Sequence, residues 1–176
     1  MVDIQCGELL SQTLSSLKER IAPNGELLVQ QEQGYCYQAK FIFHEPATES
    51  EIDEFISRTG WRLPEDYRLF LLTHNGAKLF KSKYGGGYNL FTLDEIIRWR
   101  NSDAPANWYP IASHLGDLLF VDFQEKDNSD GYLYWMISSS KFEWADKIRL
   151  NFETWLDRLI VAQGVKYWEW NRPTIL

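Results

Sequence analysis

A chain of 176 residues is sized for one domain, and with 44% hydrophobic and 15% aromatic residues it can bury a sizeable core instead of remaining disordered. A formal net charge of −7 and a pI of about 5.0 argue against a nucleic-acid binder, which needs a basic face, and favour a basic protein partner. Two cysteines without metal or redox spacing, no basic-then-apolar leader and no apolar run near the roughly 20 residues of a bilayer span lead us to expect a cytoplasmic protein with no membrane partner.

The first helix is predicted over about Leu9 to Ile21. Leu10, Leu14, Leu17 and Ile21 share one face, and Pro23-Asn24-Gly25 stops it. A short strand, Leu27 to Gln30, and a turn, Gln31 to Gln33, lead into a better strand, Gly34 to Phe43. There Tyr35, Tyr37, Ala39, Phe41 and Phe43 alternate onto one face. Cys6 and Cys36 read as small buried side chains. Thr48-Glu49-Ser50-Glu51 is a capping box, with Thr48 as N-cap and Glu51 three residues on. Ile52, Phe55 and Ile56 give the buried stripe of the helix that follows, and Gly60 ends it.

The stretch Gly60 to Gly76 then reads as a short core helix with both ends marked. Pro64 suits its first position. Glu65 and Asp66 set negative charge against the positive end of the dipole and are otherwise a solvated pair. Tyr67, Phe70, Leu71 and His74 follow helical spacing, Leu69 and Leu72 widen the stripe, and Asn75-Gly76 supplies the left-handed end. His74 is placed at the helix end, where a cation is favoured.

Lys78 to Lys83 and Tyr88 to Phe91, strands or ordered loop, flank Gly85-Gly86-Gly87. A second capping box, Thr92-Leu93-Asp94-Glu95, opens a helix through about Trp99 with Ile96 inward. Pro105 and Pro110 bracket a loop. Leu118 to Val121 and Tyr132 to Ile137 form a hairpin around the polar run Gln124 to Gly131. Phe142 to Ile148 offers an edge strand. The last helix starts at Asn151, buries Phe152, Trp155, Leu156, Leu159 and Ile160, and is capped by Gly164. Helices at the start, middle and end with antiparallel pairs between them give an α+β class: an antiparallel-rich mixed sheet with helices packed against it.

The order Gly60, Leu63-Pro64, Tyr67, Phe70-Leu71, Asn75-Gly76, preceded by the capped helix Thr48 to Thr59, resembles the signature of the SUKH superfamily. The likeness covers about residues 45 to 140. Many members carry a glycine where Ala77 stands here. That superfamily includes fungal Smi/Knr-like cell-wall-assembly regulators and bacterial immunity proteins. The resemblance implies one SUKH-like domain over 1–176, with the helix at about 8–22 an N-terminal extension and 171–176 a tail. It also implies a non-enzymatic immunity protein that binds and neutralises a cognate polymorphic toxin, of which nucleases with basic clefts are one type. The alternative it carries is a regulatory scaffold or protein-interaction module, and a third reading is a small-molecule-binding or enzymatic domain hidden in an aromatic pocket.

No motif for chemistry competes with this. His44, His74 and His114 have neither metal spacing nor a nearby cysteine. Gly85-Gly86-Gly87 lacks the Gly-Lys-Ser/Thr of a phosphate loop. Asp127-Asn128-Ser129-Asp130-Gly131 starts like a calcium loop, but Ile137 stands where the bidentate Glu belongs. The expectation is therefore no catalytic residue, cofactor or metal, and no nucleic-acid partner. Acids cluster twice. Residues 44–66 hold seven acids against two bases, and residues 117–130 hold five against one. The partner-binding candidates are Glu125, Asp127 and Asp130 in the hairpin loop, Asp117 and Asp122 beside it, and Glu49 and Asp53 on the helix before Gly60. The loop ranks first, because its charges are expected to be free of the core.

Overall fold

The computed structural model describes residues 6–125 and 130–170. Among them run α1 (Glu8–Arg20), β1 (Glu26–Gln30), β2 (Cys36–Phe43), α2 (Glu49–Thr59), α3 (Glu65–Thr73), β3 (Ala77–Lys81), β4 (Tyr88–Leu90), α4 (Leu93–Arg98), β5 (Trp108–His114), β6 (Asp117–Asp122), β7 (Leu133–Met136), β8 (Asp146–Ile148) and α5 (Phe152–Val161). The strands form one sheet in chain order, β1 to β8, and every pairing is antiparallel. In such a meander, successive connections alternate between the two ends of the strands. The β1–β2, β3–β4, β5–β6 and β7–β8 connections lie at one end. The segments carrying α2, α3 and α4, and the β6–β7 hairpin, lie at the other.

Alternation decides what each strand buries. In β2, Ala39 and Phe41 face the core while Cys36, Gln38, Lys40 and Ile42 are exposed. Cys36 is therefore on the outward phase of the pleat, and Cys6 is exposed ahead of α1, so neither is the buried side chain expected. The inward positions, Val29, Leu79, Leu90, Ile111, Leu119, Leu133 and Trp135 among them, meet residues of all five helices in one core. On the opposite face Trp108, Phe120 and Met136 form a smaller cluster under Ala104, Phe142 and Ala145. Pro110 is not in a loop. It sits in β5, where the register with β6 shifts between Pro110 and Ala112, and a bulge is where a sheet tolerates a missing N–H. Of Phe142 to Ile148, only Asp146–Ile148 pairs as a strand, and Phe142–Trp144 is a 3₁₀ turn.

Both capping boxes form, with each threonine hydroxyl accepting from the N3 amide and each glutamate reaching back to the N-cap amide. Ile52 and Phe55 are buried, but Ile56 is 37% exposed, because α2 lies on the surface and presents only a narrow stripe inward. In α3, Pro64 is the N-cap, one residue before the expected position, since its ψ of 143° is extended. The helix ends at Thr73, and His74 is extended, so Asn75-Gly76 does not end it as expected. Asn75 Oδ1 instead accepts from the Leu93 amide at the start of α4. Gly76 is left-handed and tight: a Cβ there would meet Leu90 O at 2.8 Å and Thr92 N at 2.9 Å.

The largest departure is Asp66. It is 4% exposed, not solvated. Its Oδ1 accepts from the Tyr132 hydroxyl, and its Oδ2 from the Glu153 amide at 3.0 Å. The Tyr132 oxygen accepts in turn from the Phe152 amide at 2.9 Å. A side chain of α3 and one preceding β7 thus satisfy the first amides of α5. Glu153 of α5 then accepts from the Gly7 and Leu10 amides at 3.1 and 3.3 Å, which caps α1. Burial first, then the nearby Asp66 charge, push the Glu153 carboxyl above its ordinary range, against the two amide bonds that lower it.

Candidate functional site

The predicted acids fall into three places. At the helix-bearing end of the sheet, the β6–β7 connection holds Asp122, Glu125 and Asp130, while Asp127 lies outside the described residues. The acids seen there are engaged with the scaffold. Glu125 Oε1 accepts from Lys147 Nζ of β8 at 2.8 Å and from the Tyr134 hydroxyl at 3.4 Å. That bond raises the Lys147 pKa against the desolvation that lowers it. Asp130 pairs with Arg149, just past β8. Asp122 Oδ1 accepts from Asn107 Nδ2 at 2.6 Å and the Gln124 amide at 3.0 Å. The expectation of a loop whose charges are free of the fold is therefore corrected for Glu125 and Asp130. Register places β8 alongside β7, so the bases that follow Ala145 meet the acids that follow Phe123.

Asp117 lies at the opposite end of β6, is 8% exposed and is separate from the others. Its Oδ2 accepts from Lys166 Nζ at 2.6 Å and its Oδ1 from the Ser138 amide at 2.9 Å. Burial opposes ionisation, but these bonds outweigh it and hold the carboxyl below its ordinary range. Its carboxylate is thus held within the fold.

Glu49 and Asp53 share the outer side of α2. Glu49 pairs with Arg68 of α3. Asp53 is exposed, as are Glu51 and Glu54. Glu51 is held charged by the Thr48 amide and hydroxyl, which lower its pKa. Across a shallow groove of about 180 Å³, Asp94 of α4 joins Glu51 and Glu54 on the lining, against Arg58. Arg58 itself lies 3.8 Å from Glu54. Glu51, Glu54 and Asp94 are thus an acid-rich rim of this groove at the helix-bearing end, while Asp53 is exposed on the outer side of α2 beside Glu49. Asp94 was missed because it lies far from α2 in sequence. Its exposed place in a first helical turn was the available signal.

The histidines serve turns. His44 Nδ1 faces Asn75 O at 3.2 Å, His74 Nδ1 faces His44 O at 2.8 Å, and His114 Nδ1 faces Gly87 O at 3.0 Å. Burial is the first cause holding His74 and His114 below the ordinary imidazole range, so His74 is not the dipole-stabilised cation expected. Among the described residues no group of three or more His, Cys, Asp or Glu could hold a metal ion, and no helix is long and apolar enough to cross a membrane.

A second concavity, whose place and lining the sequence did not give, opens at the other end of the sheet. It is a cleft of about 990 Å³ bounded by the β1–β2, β3–β4 and β5–β6 turns and the segment after α5. Gln33, Phe80 and Leu115, three of the five non-glycine residues with positive φ among the described residues, line it, and a fourth, Gln163, flanks it. Such conformations are uncommon outside glycine and cluster where a site is held in shape.

Two curated proteins of Bacillus subtilis (strain 168) are similar over most of their length, both described as uncharacterized. YnaB is 34% identical over 134 residues, spanning 76% of this chain and 90% of that protein. YobM is 30% identical over 171 residues, spanning 92% of each. The model of the SMI1 / KNR4 family (SUKH-1) matches residues 46–158, from the turn before α2 to the body of α5. With that span containing both capping boxes, the α3 signature and strands β3 to β8, the chain belongs to the SMI1 / KNR4 family (SUKH-1).

Proposed function

We propose that the chain is a non-enzymatic immunity protein that binds a basic toxin domain and neutralises it by covering its working surface. The observation that carries this reading is the exposed acidic rim of Glu51, Glu54 and Asp94, held on two capped helices of the sheet scaffold. Family membership supports it, since immunity proteins are among the family's members. The non-enzymatic part is supported by the use of the buried ionisable groups. Asp66, Tyr132 and Glu153 are satisfied by one another and by helix amides, which leaves them poorly placed for acid–base work.

A charged rim acts mainly on association rate, and its effect fades with salt. The decisive experiment expresses the C-terminal domain of the protein encoded next to this gene, with and without the chain. Rescue of growth and a purifiable complex are expected. Replacing Glu54 and Asp94 together by Ser, which leaves the Thr48–Glu51 cap intact, should slow association at low salt, with little change at high salt. Growth arrest despite equal expression of a folded chain would overturn the immunity reading. A stable complex with a host regulatory protein in its place would favour the scaffold role.

A further inference from the structure

The cleft between the β1–β2, β3–β4 and β5–β6 turns has a wall that the fold leaves incomplete. Tyr88 lines it, is 0% exposed and has a hydroxyl without a hydrogen-bond partner. Behind it the indole N–H groups of Trp155 and Trp168 also lack partners, and the rings touch one another at centroid distances of 6.3 and 6.1 Å. Buried polar groups are nearly always paired, so three orphan donors in one ring cluster call for an acceptor. Of these three residues Tyr88 is the one on the cleft lining, within electrostatic reach of Tyr37, Glu169 and Asp117.

The remaining groups define the acceptor's owner. Lys166 offers its ammonium, already neutralised by Asp117 at 2.6 Å. His114 stacks on Tyr88 at 4.2 Å, and since its Nδ1 donates to Gly87 O, its Nε2 is an acceptor. Tyr35, 58% exposed, presents a ring stacked on Tyr37 at the mouth. Glu32 and Glu169 also line the cleft. An anion would meet these carboxylates. A cation would meet Lys166 and leave the Tyr88 O–H without an acceptor. A neutral ligand with both donors and acceptors, and one apolar face, satisfies all of them.

We propose that this cleft binds a neutral, hydroxyl-rich ligand, a saccharide whose ring hydroxyls meet Tyr88, His114 and Lys166 and whose apolar face stacks on Tyr35. The site is independent of the acidic rim and lies at the opposite end of the sheet.

Full-length protein is titrated with maltotriose, cellotriose, chitotriose, glucose, glucose 6-phosphate and adenosine, read by tryptophan fluorescence and amide chemical shifts. At least one trisaccharide should saturate with a Kd below about 1 mM. Tyr88→Phe should weaken it about fivefold to tenfold, the loss of one hydrogen bond, while Tm stays equal or rises, because that hydroxyl has no partner in the free protein. Tyr35→Ala should weaken it without moving Tm. Absence of saturation by all three trisaccharides would overturn the proposal. So would tighter binding of glucose 6-phosphate than of glucose, which marks an anion site, or tighter binding of adenosine than of any saccharide. A fall in Tm for Tyr88→Phe with unchanged trisaccharide affinity would also overturn it, assigning that hydroxyl to the fold.

Discussion

Replacing Asp66 by alanine should be among the most damaging single changes to this chain. Its carboxylate accepts from the Tyr132 hydroxyl, the Glu153 amide and the Tyr67 amide, all buried. A hydrogen bond to a charged acceptor contributes about 1.5–3 kcal/mol, and a stranded buried donor costs about 1–3 kcal/mol. Losing the Tyr132 and Glu153 partners therefore predicts a loss of about 3–5 kcal/mol, after allowing for relief of repulsion with Glu153. Against a typical total of about 5–15 kcal/mol, that is large. Urea denaturation followed by tryptophan fluorescence would measure it, with the slope unchanged if only native interactions are lost. A double-mutant cycle with Tyr132→Phe should show a coupling of about 1–3 kcal/mol, since the two groups share one network. A loss under about 1 kcal/mol for Asp66→Ala, or additive effects in the cycle, would refute the inter-helix cap.

Phe70 is 0% exposed and packs on Tyr67 and Phe152, so Phe70→Ala should cost about 3–5 kcal/mol by chemical denaturation. Glu153 has a raised folded-state pKa, so its protonated form favours folding at low pH and that contribution is lost as pH rises through the folded value. Glu153→Gln keeps an acceptor for the Gly7 and Leu10 amides. Its Tm relative to wild type should therefore improve as pH rises from 4.5 towards neutrality, and a pH-independent difference would contradict this. His74 has a depressed folded-state pKa, so stability should fall as pH drops below 6.5, and His74→Gln should flatten that limb in a Tm-versus-pH series. Glu125→Ser and Asp130→Ser remove partly exposed ion pairs and should each cost no more than about 1 kcal/mol in a thermal melt.

Local signals carried much of the architecture. Thr48 with Glu51, Thr92 with Glu95, and the stripe of α5 need only neighbouring residues to be read, and each formed as expected. β5 was hidden because Trp108 to Ala112 is buried at every position, so it shows no alternation, and Pro110 reads as a breaker. Asp66 looks like any acid in a first helical turn. What buries it is Tyr132 and α5, far away in sequence. The pairings of Glu125 with Lys147 and Asp130 with Arg149 depend on the β7–β8 register, which no local pattern encodes. The cleft at the other end joins segments that are remote along the chain, so none of them announces it alone.

The capping of α1 has a consequence for how the chain is made. Glu153 stands 146 residues after Gly7, whose amide it accepts. On the ribosome, β1 to β8 can zip in the order of their synthesis, each strand onto the one before it. α1 emerges before all of these strands, yet it cannot be sealed until α5 has left the exit tunnel. Throughout elongation Leu10, Leu14 and Leu17, which end in the core, have no α5 to rest on. A nascent chain stalled before Phe152 should therefore present that apolar stripe to chaperones, and release of the last helix should withdraw it.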